Sequence, residues 1–347
     1  MTKIISLFNH KGGVSKTTTT FNLGWMLSEK GYKVLMVDTD PQCNLTGEVL
    51  SLSEEGDFED FYKNENYDNL QQALSPVFDG KPVELKPAKC YEISKRENLF
   101  LLPGHIDFSD YDVAISIAQE LTGSLKTMQN IPGAISHLLR ITAKEYGFDY
   151  ILIDMSPSVS ATNANIFIQS DYFIVPCCPD YFCNMAINSL GKVIPNWVKT
   201  YNILKTHPAF QRADYKLPDT TPQFLGIILQ RYRPKNGVPA RSFRQWIQKI
   251  SQNVEENLVP ILKNNGMIVE PSKLNSITNA EEPYNIINVP DFNGLIAQSQ
   301  KYNVPVFALK DDQLEQVGKV KENVQSSREK FYNVFSQLAD SVIKLTK

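Results

Sequence analysis

Short runs of consecutive apolar residues recur along the chain. They occupy residues 3–9 (KIISLFN), 33–38 (KVLMVD), 98–104 (NLFLLPG), 149–155 (DYILIDM), 171–177 (DYFIVPC) and 224–230 (FLGIILQ). Runs of this length, bounded by Gly, Pro, Asn or Asp, read as strands buried on both faces. Stretches with helical spacing fall between them, at 17–30, 131–146, 161–169 and 184–204. Alternating strand and helix signals predict an α/β fold, a doubly wound and mainly parallel sheet with helices on both faces. Later strands are expected at 287–290 (INVP) and 304–309 (VPVFAL), around a helix at 293–301. The last helix is expected to open at Ser326, with Glu329 in capping-box spacing and Phe331, Phe335, Leu338, Val342 and Leu345 along one face.

At 347 residues the chain fits one large α/β unit, so 1–347 reads as a single domain. Two stretches look like additions: 51–95, polar and partly acidic, and 200–221, which carries Pro208 and Pro218. A hydrophobic content of 42% is ample for a core, and the net charge of -3 names no partner. That small total hides asymmetry. Residues 54–68 are strongly acidic, whereas 231–249 hold six basic residues and no acidic one.

Cys43, Cys90, Cys177, Cys178 and Cys183 form no CxxC pair, which reads as reduced thiols rather than a disulfide framework. Cys177 and Cys178 are adjacent on an expected strand and should point to opposite faces, which argues for buried structural thiols over a shared cluster. His10, His105, His137 and His207 are dispersed without metal-ligand spacing, and His10 reads as a structural loop residue. No signal-peptide pattern opens the chain and no apolar run approaches bilayer length, so a cytoplasmic protein is expected.

The most informative chemistry is KGGVSKTT, Lys11 to Thr18, between the first strand and the first helix. A small-residue loop between strand and helix cradles phosphate, because loop amides and the helix dipole both face the anion. Lys16 would reach the β/γ-phosphates of a nucleotide, and the Thr17 hydroxyl would ligate Mg²⁺. The general P-loop pattern wants Gly where this chain has Ser15 and His10; a second lysine, Lys11, stands at the loop's entrance.

The spacing K-G-G-x-x-K-T resembles the deviant Walker A box of the ParA/MinD ATPases, a P-loop NTPase family. The resemblance implies ATP and Mg²⁺ as ligands. It implies nucleotide contacts from Lys11, Gly12, Gly13, Val14, Ser15, Lys16, Thr17 and Thr18, with Lys11 crossing a dimer interface to the other subunit's phosphates. The segment DTDPQCN, residues 38–44, ends a strand in two carboxylates on the ligand side of the sheet. It is similar to the family's D-x-D-P-Q box, which gives Asp38 to the metal and Asp40 to hydrolysis, beside Lys11 and Lys16 as catalytic residues. The family often has Gly where Cys43 stands. ILIDMSPS, residues 151–158, puts Asp154 at a strand end in the manner of a Walker B carboxylate. It also resembles the family's D-x-x-P-S form. Residues 290–306 look like the adenine-side loop, with Pro290 at the expected base contact and Asp291 where Arg is common.

Arg231, Arg233, Lys235, Arg241, Arg244 and Lys249 are the densest basic stretch. On a helix starting near Pro239, Phe243, Ile247, Ile250 and Val254 fall on one face, and Arg241, Arg244 and Gln248 on the other. Exposed cations without a base-reading motif suit sequence-independent contacts to DNA phosphates, though a solvated basic face would look the same.

The expectation is a ParA-like partitioning ATPase. ATP closes a homodimer, the dimer binds nonspecific DNA on the nucleoid, and a ParB-like or adaptor protein carrying cargo stimulates an otherwise slow hydrolysis. With the motif starting at residue 11, no N-terminal operator-binding domain is expected. The alternatives are a MinD-like membrane-cycling ATPase, or a ParA-like ATPase acting on a non-DNA cargo or defence complex. A membrane partner is not expected, because the charges of the last helix (Glu329, Lys330, Asp340, Lys344, Lys347) nearly balance.

Overall fold

The computed structural model describes residues 1–50, 55–81, 83–120, 128–235, 238–316 and 318–347. Eight strands form one sheet: β1 (Lys3–Leu7), β2 (Val34–Asp38), β3 (Tyr91–Glu92), β4 (Leu99–Leu102), β5 (Tyr150–Asp154), β6 (Tyr172–Cys177), β7 (Gln223–Tyr232) and β10 (Asn285–Pro290). Their spatial order is β10-β7-β6-β1-β5-β2-β4-β3. All pairings are parallel except β3 with β4. β8 (Pro234–Lys235) and β9 (Val238–Pro239) form a separate small hairpin.

The strands are apolar throughout because both faces are covered. One buried cluster holds Phe8, Leu35, Ile151, Phe173 and Phe224 with the helices Ile131–Tyr146, Ala161–Gln169 and Tyr181–Thr206. The other holds Ile5, Met36, Leu152 and Leu225 with the helices Lys16–Glu29 and Gly318–Leu345. Strand order switches at β1, where the chain runs from the sheet centre first to one side and later to the other. Open α/β sheets bind ligands at such a switch point, beyond the strands' carboxyl ends.

Two sequence expectations are corrected. Residues 304–309 do not form a strand; they contain a single 3-10 turn, Val306–Ala308. Pro305 cannot donate to a ladder. Val306 and Phe307 are both buried, Phe307 against Phe335 of the last helix, so the side chains do not alternate as in a strand. The last helix starts at Gly318, so Ser326 lies in its interior and caps nothing. Arg328 anchors the added turns, donating to the Leu309 carbonyl and pairing with Asp311 at 2.8 Å.

Both added stretches contribute to the core. From 51–95, Leu70, Leu74, Val77 and Leu85 are buried, and the helix Glu55–Lys63 flanks the cleft treated below. Glu54, in the acidic run, lies outside the described residues. From 200–221, Tyr215 stacks on His137 with ring centroids 4.4 Å apart, and its hydroxyl oxygen accepts the Leu85 amide at 2.9 Å.

Tyr215 closes on the helix Ile131–Tyr146 so tightly that a Cβ at Gly133 would press into the Tyr215 carbonyl. Overpacking at such a backbone contact costs about 2 kcal/mol. Gly133→Ala should therefore lower the urea midpoint with an unchanged slope. An unaltered midpoint would show that 200–221 moves aside freely.

Candidate nucleotide site

β1 ends at Leu7, and the loop that follows turns through left-handed backbone twice, at Gly13 (φ 70) and Ser15 (φ 59). Glycine takes that conformation at no cost; serine pays for it. Ser15 thus adopts the backbone that the general P-loop assigns to Gly, and the helix Lys16–Glu29 begins directly after it. The same holds at Cys43 (φ 53), ahead of the helix Asn44–Val49.

Lys16 is buried, and its ammonium donates to the carbonyls of Asn9 at 3.1 Å and Lys11 at 3.4 Å, inside the curve of its own loop. Burial lowers its pKa, against the pull of the Asp154 and Asp40 carboxylates. Asp38 and Asp154 are register partners at the ends of β2 and β5. Asp154 Oδ2 accepts the Thr17 hydroxyl at 2.7 Å, while its Oδ1 is buried without a hydrogen-bond partner. Burial, then the charge of Asp38, pushes the Asp154 carboxyl well above the usual range. Burial likewise raises Asp38 to about 6, although its oxygens accept the Thr46 amide and hydroxyl and the Asp40 amide. Asp40 accepts the Gln42 amide at 3.0 Å and lines the cleft.

That cleft has a volume of about 1090 Å³ and contains Gly12 through Thr18, Asp40 and Arg231 in its wall. Its far side, formed by Phe58, Tyr62, His105 and Ile106, comes from the first added stretch and the segment after β4. The residues fit a magnesium nucleotide on two counts. A buried carboxylate oxygen lacks a partner beside a hydroxyl, which suits a hard, oxygen-seeking cation. The loop amides and a helix N-terminus suit phosphate.

Lys11 does not line this cleft. It lines a neighbouring one of about 590 Å³ with Gly12, Gly13, Cys178, Asp180, Arg231 and Arg233. There its ammonium meets Asp180 Oδ2 at 2.6 Å. Burial lowers the Lys11 pKa, but the Asp180 hydrogen bond and then the neighbouring Cys183 outweigh it and the net shift is upward. Pro290, at the end of β10, borders a separate pocket of about 330 Å³ beside the last helix and does not line the phosphate cleft.

The described basic candidates fall into two places, Arg231 and Arg233 in the Lys11 cleft and Arg241, Arg244 and Lys249 on one helix. Arg231 has φ 61 and folds back to donate to the Gly13 carbonyl at 3.0 Å, so it belongs to the nucleotide loop's surroundings. Arg233 is exposed in the Lys11 cleft. Arg241, Arg244 and Lys249 are exposed on the helix Arg241–Asn253, whose Ile247 and Ile250 are buried. Lys249 sits over the Trp246 ring at 4.9 Å. The Lys235 side chain lies outside the described residues.

Asp180 and the Phe58–Tyr62 wall were not expected from the sequence, and Arg231 was expected as a DNA contact rather than beside the nucleotide loop. Asp180 had a legible signal: it is the N-cap of the helix Tyr181–Thr206, accepting the Cys183 amide at 2.9 Å. Cys177 and Cys178 do not diverge as adjacent strand residues would. Cys178 lies past the end of β6, and both Cys177 and Cys178 face Cys183. Among the described residues no group of three or more His, Cys, Asp or Glu side chains could hold a metal ion. Nor is any described helix long and apolar enough to cross a membrane.

A family model described as AAA domain matches residues 2–205. An uncharacterized protein of Methanocaldococcus jannaschii is 27% identical over 242 residues, 70% of this chain and 78% of its own length. The sporulation initiation inhibitor protein Soj of Bacillus subtilis is 31% identical over 190 residues, 55% of this chain and 64% of Soj. Among solved structures, an ATP complex of a Cyanothece McdA variant superposes with a TM-score of 0.59 at 16% identity, over 97% of this chain and 96% of that one. At that identity the likeness speaks for the fold.

Glu48 lines the same cleft, and its Oε1 is buried without a partner. Burial raises its pKa from 4.5 to about 7. The unfolded chain therefore releases this proton first, and stability is lost as pH rises through that window and stays lost above it. Glu48→Gln should stabilise the nucleotide-free protein at pH 8 by on the order of 2 kcal/mol, with little effect at pH 4.5. Equal unfolding midpoints for the two proteins at pH 8 would overturn the assignment.

Proposed function

The chain belongs to the ParA/MinD-type ATPases of the AAA-domain family, and from that premise we propose that it is a ParA-like partitioning ATPase. ATP binding closes a homodimer, the dimer holds DNA without sequence preference, and a partner protein carrying cargo stimulates hydrolysis and release. Residues 1–347 act as one ATPase unit.

The observation that carries this reading is the separation of the two loop lysines. Lys16 lies within its own loop, where it would meet the β/γ-phosphates. Lys11 is directed into the next cleft, away from its own phosphate site. A lysine so placed would serve a second subunit's nucleotide by exchanging Asp180 for its phosphates. Beside it Tyr181, Phe182 and Met185 are exposed, an apolar surface suited to cover by a second copy.

Gly12 through Thr18 would bind the phosphates through loop amides and the Lys16 ammonium. Thr17 and Asp154 would hold Mg²⁺, with Asp38 behind them; the ion, when bound, neutralises charge on the β- and γ-oxygens. Asp40 would orient the attacking water, since phosphoryl transfer asks the protein mainly for position and charge. Pro290 is the proposed contact on the base side. Arg241, Arg244 and Lys249 supply phosphate contacts to DNA; Arg233 and Lys235 extend them, whereas Arg231 serves the nucleotide loop. A membrane reading gains no support from the last helix, whose apolar residues Phe331, Phe335, Leu338, Val342 and Leu345 are buried.

Asp40→Ala should slow ATP turnover about 100-fold or more and accumulate an ATP-bound dimer on random-sequence DNA. Replacing Arg241, Arg244 and Lys249 together by Ala should reduce the slope of log affinity against log salt by roughly 2 to 3. Turnover by Asp40→Ala at the parent rate would refute the hydrolytic role. ATP-dependent sedimentation with liposomes instead of DNA would replace the proposed partner with a membrane.

A further inference from the structure

Three of the five cysteines converge behind the nucleotide loop. Cys177 ends β6, Cys178 follows it, and Cys183 lies in the first turn of the helix Tyr181–Thr206. The Cys178 amide donates to Cys183 Sγ at 3.1 Å. Cys177 and Cys178 both neighbour that sulfur, while their own thiols donate to the carbonyls of Val175 and Gly13. Cys178 Sγ also lies 3.6 Å from the Gly13 carbonyl, so the cluster touches the loop itself.

These contacts divide the labour among the sulfurs. The neighbouring Cys177 and Cys178 lower the Cys183 thiol's pKa, against its burial, and the Cys178 amide on its sulfur and Lys11 add to the effect. A helix N-terminus favours the same anion. Cys177 and Cys178 move the opposite way and stay protonated. Cys177 and Cys183 are fully buried, but Cys178 is 9% exposed and lines the cleft that holds Lys11, Gly12 and Gly13. A small oxidant entering that cleft meets Cys178 first and the Cys183 thiolate directly behind it. Cys43 and Cys90 have no second thiol among these contacts.

We propose that Cys183 and Cys178 form a reversible disulfide on reaction with a peroxide, and that this bond weakens nucleotide binding at the adjoining loop. The second half rests on the proposed ATPase function. In the first step the Cys183 thiolate attacks one peroxide oxygen; the O–O bond breaks, hydroxide leaves, and Cys183 becomes a sulfenic acid. In the second, Cys178 sulfur attacks Cys183 sulfur, the S–O bond breaks, and the thiol proton leaves with the hydroxyl as water. The two sulfurs lose two electrons and the peroxide gains them. An S–S bond is about 2 Å long, so closure draws Cys178 away from the Gly13 carbonyl. It also removes the negative charge beside Lys11. A thiol reductant reverses both changes.

The test uses the full chain treated with hydrogen peroxide, then quenched. Intact mass should fall by two hydrogens, and peptide mapping should join Cys178 to Cys183. Cys178→Ser and Cys183→Ser should each abolish that linkage, while Cys43→Ser should retain it. Affinity for a fluorescent ATP analogue, measured on the same samples, should fall about tenfold on oxidation and recover with dithiothreitol, each variant being compared with itself before and after treatment. Thiols that remain reduced, or a linkage between other cysteines, would overturn the assignment. A mapped disulfide with unchanged affinity would overturn the coupling. A reduced protein that bound no nucleotide would count against the proposed function, and the mapping would still decide the chemistry.

Discussion

The register between β2 and β5 sets Asp38 beside Asp154 at the buried end of the sheet, and most of the site depends on that pairing. With Asp40 close by, three carboxylates crowd together, and the buried ammonium of Lys16 answers Asp154 and Asp40. Such an arrangement opposes folding unless polar groups answer the charge. Thr46, Thr17 and the Asp40 amide answer most of it, and Asp154 Oδ1 is left unanswered. The apolar strands on both faces carry that cost. A divalent cation would discharge it, so ligand binding and folding are linked through the same few atoms.

Much of this was legible because buried parallel strands advertise themselves. Their residues are apolar on both faces, so 33–38 and 149–155 read as strands, and their terminal carboxylates read as ligand-side groups. The helices Ile131–Tyr146 and Ala161–Gln169 lie where the spacing placed them. Ser15 shows what a motif encodes. The absence of Gly looked like a departure from the general loop, yet Ser15 takes the left-handed backbone all the same. The phosphate cradle asks for dihedral angles, and residue type is only the usual way of reaching them.

The rest was not legible because it is set by tertiary contacts. Residues 304–309 carry a strand-like run of apolar positions, but their neighbours are the last helix and Pro305, not a sheet edge. Alternation along a strand predicted divergent thiols, and it fails one residue beyond the strand's end. Arg231 read as one more cation in a basic run; a positive φ at a non-glycine turns it onto the Gly13 carbonyl, and nothing local announces that turn. The aromatic wall at Phe58 and Tyr62 comes from a stretch whose polarity marked it only as an addition.

Asp180 ties the two clefts into one mechanical unit. One of its oxygens caps the helix Tyr181–Thr206 through the Cys183 amide, and the other holds the Lys11 ammonium. The first turn of that helix therefore cannot shift without changing the position or the partner of Lys11. On the other side of Lys11, Gly12 and Gly13 are shared between the Lys11 cleft and the phosphate cleft, with Arg231 bridging to the Gly13 carbonyl. Whatever displaces the helix start, whether a second subunit against Tyr181 and Phe182 or a covalent link between Cys178 and Cys183, acts on the same short lever. The loop responds because its backbone already holds a costly left-handed turn at Ser15, where small displacements change which way the amides point.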